Sequence, residues 1–428
     1  MRSNLMTLAV VAASMVLAAP MASADELVQE QLRLMEQRMA EMEDRLEATS
    51  DELRTAKATV DQQQDMLSGA GLLEGDDRGA RSGVGSFFEM VDISGVAAAS
   101  YNYRFIDNGD RDAAGPPVND TLFRHPNADS FQFDQLWMVI DKAPTEESRG
   151  GFHAEIVYGE TAASQGGSTD SGLIYTGYAS YLAPIGNGVQ IDMGRLATPL
   201  GGEVIQTNQN FNITTGAVFG LQPVTHVGIS ASTQFTDGFG AIFGVVNEVY
   251  DDTNISTDRD KAYYGQLQFG GDIWGLNVGA IVGEDQLACS SGASTDDCNT
   301  SVFDVYASLD PTDNYSTWLN FDWVTSFGDD VVGEGNAYGI SWAQRFALTD
   351  STGISSRLEY LFFEDDFLGA SDDGELVTAT ATVDHTLVEG IVIRGEVRYD
   401  KYLEDDVQTF TSGDDEQLVA LAEMYFEF

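Results

Sequence analysis

Hydrophobic and polar positions follow three successive patterns along the chain. Residues 1–24 hold an apolar stretch from Leu5 to about Ala19 behind Arg2, and Ala22-Ser23-Ala24 has the small-x-small form of an export cleavage site. The stretch is too short to span a bilayer comfortably, and acidic residues follow it instead of a basic stop-transfer flank. Residues 1–24 therefore read as a signal peptide. Over residues 25–67 a 4-3 spacing runs through Val28, Leu32, Met35, Met39, Met42, Leu46, Thr49, Leu53, Ala56, Val60, Gln63 and Leu67. A repeat of about 3.5 residues is the seam of a coiled coil, narrower than the stripe of a helix packed on its own domain. Polar Thr49 and Gln63 on that seam help set its register. Residues 68–85, rich in Gly, Ser and charge, read as a linker.

From residue 86 to 428 the period drops to two. Ile93, Gly95, Ala97, Ala99, Tyr101 and Tyr103 alternate with Ser94, Val96, Ala98, Ser100, Asn102 and Arg104; Ile391, Ile393, Gly395, Val397 and Tyr399 alternate with Arg394, Glu396, Arg398 and Asp400. Each such run is a strand with one apolar and one more polar face. Strand candidates centre near residues 98, 136, 155, 178, 192, 231, 243, 266, 278, 305, 320, 341, 359, 380, 396 and 423. The connections between them alternate long and short. A soluble sandwich has no reason to sort loop length by parity, whereas a transmembrane β-barrel has short turns at one rim and long loops at the other. The chain closes on Leu418, Ala420, Ala422, Met424, Phe426 and Phe428 along one strand face. That ending has the form of the signal read by the barrel assembly machinery of outer membranes, with Met424, Phe426 and Phe428 as its aromatic and apolar tip. The fold class is thus an antiparallel all-β transmembrane barrel of about sixteen strands behind an α-helical coiled coil. Such a barrel pairs every backbone group inside the lipid of a Gram-negative outer membrane and leaves the coiled coil in the periplasm.

Charge and composition narrow the function. The 428 residues include 69 acidic and 21 basic ones, a formal charge of -48, which excludes electrostatic binding to nucleic acid. Most of the excess lies in long connections such as Asp251-Asp252, Asp329-Asp330, Glu364-Asp365-Asp366 and Glu404-Asp405-Asp406, where carboxylates offer oxygen ligands to Ca²⁺ or Mg²⁺ without a dedicated calcium-loop spacing. No resident cofactor is indicated. Cys289 and Cys298 share one long connection and, in an exported protein, would form a disulfide. His125, His153, His226 and His385 are scattered without metal spacing, and no nucleophile elbow or phosphate loop is present, so no catalytic residue is assigned.

Several segments carry a resemblance to a known family: Phe133-Asp134-Gln135-Leu136-Trp137, Asp141-Lys142-Ala143-Pro144, Gly151-Phe152, Tyr158-Gly159-Glu160-Thr161, Tyr178 to Gly186, Gly194 to Ile205, Asn210-Phe211-Asn212 and Pro223 to Gly228. In these the chain resembles the β-barrel porin-2 (OmpL-like) family of outer-membrane porins. The leading coiled coil is similar to the periplasmic stalk of stalked trimeric porins. The resemblance implies a water-filled channel for passive diffusion of small hydrophilic solutes or ions, as a homotrimer in outer-membrane lipid. It supplies no catalytic residues and no particular solute.

A sixteen-strand lumen is too wide for strand side chains to fill. The segment Thr198 to Thr225 lies between the fifth and sixth strands, where trimeric porins carry their constriction loop. It is expected to fold inward, with Glu203, Gln206, Asn208, Asn210 and Asn212 at the narrowest part. The competing reading is an outer loop packed on a neighbouring subunit. The polar strand faces place Asp134, Glu155, Asp192, Glu359 and Glu396 with Lys142, His153, Arg345, Arg357, Arg394 and Arg398. A charge facing lipid near the bilayer midplane costs about 2–4 kcal/mol for Arg or Lys, so these belong in the lumen. Together with the acidic loops they imply a weak cation preference. Two further readings remain open at this stage, a structural or adhesive barrel tethered through its coiled coil and a barrel-borne hydrolase.

Overall fold

The computed structural model describes residues 91–428 except 106–121, 123, 126, 166–171, 251–260, 285–298, 328–334, 365–372 and 404–414. The signal peptide, coiled coil and linker, Cys289 and Cys298, and most of the acidic loop clusters lie outside the described residues.

The period-two segments form the strands β1 (Asp92–Arg104), β2 (Phe131–Lys142), β3 (Gly150–Tyr158), β4 (Leu173–Ala183), β5 (Val189–Ala197), β6 (Thr225–Thr236), β7 (Phe239–Val246) and β8 (Ala262–Gly271). They continue as β9 (Trp274–Glu284), β10 (Asn299–Thr312), β11 (Tyr315–Phe327), β12 (Gly335–Thr349), β13 (Thr352–Phe363), β14 (Gly374–Val388), β15 (Ile391–Tyr402) and β16 (Glu416–Glu427). Every strand centre read from the sequence falls inside one of these. Each strand pairs antiparallel with its sequence neighbours, and β16 returns to β1, so the sheet is a closed barrel without an edge. The connections keep the expected parity. Two-residue turns at 237–238, 272–273, 313–314, 350–351 and 389–390 occupy the rim that also holds the start of β1 and the end of β16.

Closure is made by the chain end. The β1–β16 register runs from Val96 opposite Glu427 to Arg104 opposite Val419. Beyond it, Gly95 N–H donates to Phe428 O at 3.0 Å and Phe428 N–H donates back to Gly95 O at 3.1 Å. Met424, Phe426 and Phe428 point outward, as do Phe131 (83% exposed) and most other large exposed apolar side chains. The face turned inward is polar yet buried, including Ser100, Asn102, Arg357, Glu396 and Arg398, because something inside the barrel covers it.

One strand departs from strict alternation. Between Ala98 opposite Gln135 and Ala99 opposite Phe133 the β1–β2 ladder skips Asp134, a β-bulge. Both Asp134 and Gln135 then face inward, and the side-chain parity of β2 reverses beyond them. Asp141 consequently pairs inward with His153, while Lys142 pairs with Phe152 on the outward face. Lys142 does not share the lumenal face of Asp134, contrary to simple alternation. Its Nζ donates instead to Ser148 Oγ at 3.0 Å and Gly150 O at 2.5 Å in the adjoining connection.

Candidate functional site

The connection from β5 to β6 enters the barrel and fastens to the far wall. It includes two short 3-10 turns, Thr207–Gln209 and Val218–Leu221. Glu203 Oε1 lies 2.6 Å from Arg357 Nη1 on β13, and Glu203 Oε2 accepts from Gly216 N–H at 2.6 Å, so one carboxylate ties the two limbs of the segment together. Glu359, also on β13, accepts from Ala217 N–H at 3.1 Å and Val218 N–H at 3.2 Å. On β15, Glu396 accepts from Ile213 N–H at 2.6 Å, Thr214 N–H at 3.1 Å and Thr214 Oγ1 at 2.6 Å. The arginines serve the carbonyl side. Arg357 Nη1 donates to Thr214 O at 2.6 Å, Arg398 Nη1 to Thr215 O at 2.6 Å and Arg394 Nη1 to Asn210 O at 3.2 Å.

Glu396 beside Arg398, and Arg357 beside Glu359, therefore act as fixed acceptor and donor forks for an irregular backbone that makes few bonds to itself. This satisfies the requirement that buried N–H and C=O groups find partners. The arginines are neutralised where they stand. Arg357 Nε is 3.1 Å from Glu359, Arg398 Nε is 2.7 Å from Asp400, and Arg394 is paired with Glu423 on β16. Arg345 pairs with Asp384 at 2.7 Å nearer the short-turn rim.

The lumenal charges expected from the sequence, Asp134, Glu155, Asp192, Arg345, Arg357, Glu359, Arg394, Glu396 and Arg398, fall on inward-facing positions but in two groups. Arg357, Glu359, Arg394, Glu396 and Arg398 hold the segment. Glu155 and Asp192 lie on the β2–β5 wall and make no bond to it. There His153 stands between Asp141 (Nδ1 to Oδ1, 2.8 Å) and Glu155 (Nε2 to Oε1, 3.0 Å), its ring stacked on Tyr178 at 5.0 Å. Asp192 accepts from Ser180 Oγ at 2.6 Å and from Gln190. Asp134 is buried among Ser100, Gln132 and His125.

The segment residues expected to line a constriction divide as well. Asn208 and Asn210 are half-exposed. Asn208 Nδ2 reaches Glu427 at 3.1 Å, and Asn210 braces the segment by bonds to Val204 N–H and Val204 O. Glu203 is occupied by Arg357. Gln206 and Asn212, expected at the aperture, are instead buried: Asn212 Nδ2 donates to Thr382 Oγ1 at 2.7 Å on β14, and Gln206 Oε1 accepts from Gln209. An amide that completes a buried bond to the wall is withdrawn from the water-filled side.

Sequence reading missed several anchors: Arg124, whose Nη1 donates to Ile205 O at 2.8 Å; Gln135, which accepts from Thr207 N–H at 3.1 Å; and Glu423, which accepts from Thr207 Oγ1 at 2.7 Å. Arg124 sits in a long connection with no periodicity to mark it. Glu423 was legible as an inward residue of the last strand, but not its partner far upstream. At the outer rim Lys401 Nζ lies 3.0 Å from Asp415, and that hydrogen bond holds the Asp415 carboxyl below the usual carboxylate range. Among the described residues no three His, Cys, Asp or Glu side chains converge as metal ligands.

No curated protein matches the sequence. Solved structures with the same fold include the outer-membrane channel DcaP of Acinetobacter baumannii (15% identity, TM-score 0.53, covering 79% of this chain and 97% of that one). They also include the trimer form of OmpT, an outer-membrane protein of Vibrio cholerae (12%, 0.55, 79% and 99%), and an anion-selective porin from Comamonas acidovorans (13%, 0.54, 79% and 99%). At these identities the likeness is one of fold. The sequence itself matches a family profile over residues 90–428, the whole of the barrel. With a closed sixteen-strand barrel, an apolar outer face and a polar lumen crossed by one bonded segment, this chain belongs to the putative beta-barrel porin-2, OmpL-like family and is a porin of the Gram-negative outer membrane.

Proposed function

We propose that the segment between β5 and β6 sets the aperture of the channel, and that small hydrophilic solutes or ions pass beside it down their gradient without chemical change. The observation that carries this is the set of bonds from Glu396, Glu359, Arg357 and Arg394 to the segment backbone, which hold it across the lumen. Asn208 and Asn210 edge the water-filled side in this reading, while Glu203 and Asn212 are anchors and Gln206 is buried within the segment. A weak cation preference follows from the division of charge. Arg357, Arg394 and Arg398 are buried in ion pairs and Arg345 is paired with Asp384, whereas Asp141, Glu155 and Asp192 stay within reach of water on the β2–β5 wall.

The assembly proposed is a homotrimer, with residues 25–67 as a periplasmic three-stranded stalk joined through residues 68–85, and with Met424, Phe426 and Phe428 presented to the assembly machinery. A passive channel has no catalytic group, and none is assigned. The test is single-channel conductance in a planar bilayer under a KCl gradient. Deletion of Gly201 to Asn212 raises conductance, and the reversal potential of the intact protein favours K⁺. An unchanged conductance sinks the aperture reading, and a potential favouring Cl⁻ sinks the selectivity.

A further inference from the structure

Four strands contribute to one cross-strand row inside the barrel: Gly279 on β9, Asp304 on β10, Asp322 on β11 and Gly339 on β12, each directly opposite the next. Both aspartates are 0% exposed. One oxygen of each is satisfied by amides. Asn320 Nδ2 donates to Asp304 Oδ2 at 2.7 Å, and Gln222 Nε2 donates to Asp322 Oδ2 at 2.7 Å. The remaining oxygens, Asp304 Oδ1 and Asp322 Oδ1, accept from no N–H or O–H group among the described residues. As a directly opposed cross-strand pair, the two carboxyls stand side by side on the same inward face.

The ion pairs of the neighbouring wall involve other carboxylates, and among the described residues neither Asp304 nor Asp322 is paired with a cation. Tyr306 lies two positions from Asp304 along β10, and Glu203 on the segment is already bound to Arg357. Strands β9 and β12 present only glycine to it, and β8 presents Gln266.

Two adjacent carboxylates buried from water do not both ionise, because desolvation and mutual repulsion act in the same direction. One proton shared by the pair removes their mutual repulsion and leaves a single charge for Asn320 and Gln222 to solvate. A divalent cation answers the charge less well. It needs six or more oxygen ligands or waters around it, and a fully buried pair of aspartates with few neighbouring oxygens does not supply them.

The same row seats the segment. A Cβ on Gly279 would meet Leu200 Cδ2 at 2.5 Å, and one on Gly339 would meet Val218 Cγ2 at 2.8 Å and Leu221 Cδ1 at 3.4 Å. The incoming and outgoing limbs thus lie in the hollows that the glycines leave on either side of the pair. Gly202 N–H and Gln222 Nε2 converge between them on Asn320 Oδ1, at 2.8 and 2.9 Å.

We propose that Asp304 and Asp322 hold one shared proton and are positioning residues that lock both limbs of the inward segment to the β9–β12 wall, so that losing the proton loosens the segment and widens the channel. This rests on the reading of the segment as the aperture-setting element. The test uses the full chain beside Asp304→Asn and Asp322→Asn, each checked for heat-modifiable gel mobility, with infrared titration and single-channel conductance across pH.

The wild type is expected to show, at neutral pH, a carboxylic-acid carbonyl band that is lost in both variants. Its conductance should rise with pH over the range in which that band disappears. In Asp322→Asn an amide N–H takes the place of the proton, so the alkaline rise is lost. Absence of any acid band that the variants remove overturns the proposal. So does chelator-sensitive stability without such a band, which assigns a cation to the pair. A band with flat conductance, in a protein whose conductance does rise on deleting Gly201 to Asn212, overturns the lock alone. Flat conductance in both cases overturns the aperture reading with it.

Discussion

Glu396 and Asp192 are both inward carboxylates, and they do different work. Glu396 accepts two backbone N–H groups and one hydroxyl of the segment, plus Thr382 Oγ1 from its own wall. Glu396→Ala strands the buried donors of Ile213, Thr214 and Thr382, so it is expected to destabilise the protein by about 3 kcal/mol. It should also raise conductance. Denaturant unfolding of the refolded protein beside bilayer recordings checks both. Asp192 bonds only to Ser180 and Gln190 on its own wall. Asp192→Asn is expected to change stability little and to shift the reversal potential toward Cl⁻. Sequence placed both residues on lumenal faces, because alternation fixes which side a residue takes. It could not separate them, because the difference lies in what covers each face. For Glu396 that cover is Ile213 and Thr214, 183 and 182 positions earlier.

The strands were legible as elements because a surface that is apolar outside and wet inside writes its period directly into the chain. The one misplacement, Lys142, came from a local event that alternation does not record: the extra residue Asp134, which reverses every later position of β2. The inward segment was legible in its location between β5 and β6 but not in its anchors; of two amides assigned to the aperture, Asn212 bonds to the wall and Gln206 is buried against Gln209 of the segment itself. The last strand gives an element-level prediction. Phe428 completes a reciprocal backbone pair with Gly95, and its ring covers that glycine, where an added Cβ would meet Phe428 Cζ at 2.7 Å. Removing Phe428 is expected to lower the amount of heat-modifiable barrel recovered from outer membranes, without changing conductance per channel in the fraction that assembles. Immunoblots of membrane fractions read the first effect and planar bilayers the second.

At the scale of the whole molecule, the stalk proposed over residues 25–67 has a direct test. Deleting residues 25–67 is expected to reduce the trimer fraction in mild detergent while leaving far-ultraviolet circular dichroism strongly β, as light scattering coupled to gel filtration would measure. The inward segment has a consequence at this scale too. Its two ends are continuous with β5 and β6, and its middle is fastened to β13 and β15, half a circumference away in the ring. A hoop squeezed from its sides flattens into an oval unless a tie spans its diameter. The segment is such a tie, and membrane lateral pressure on one arc is carried through it to the opposite arc. If the segment sets the aperture as proposed, narrowness and roundness of the channel come from the same backbone bonds, and a change that widens the passage also softens the ring around it.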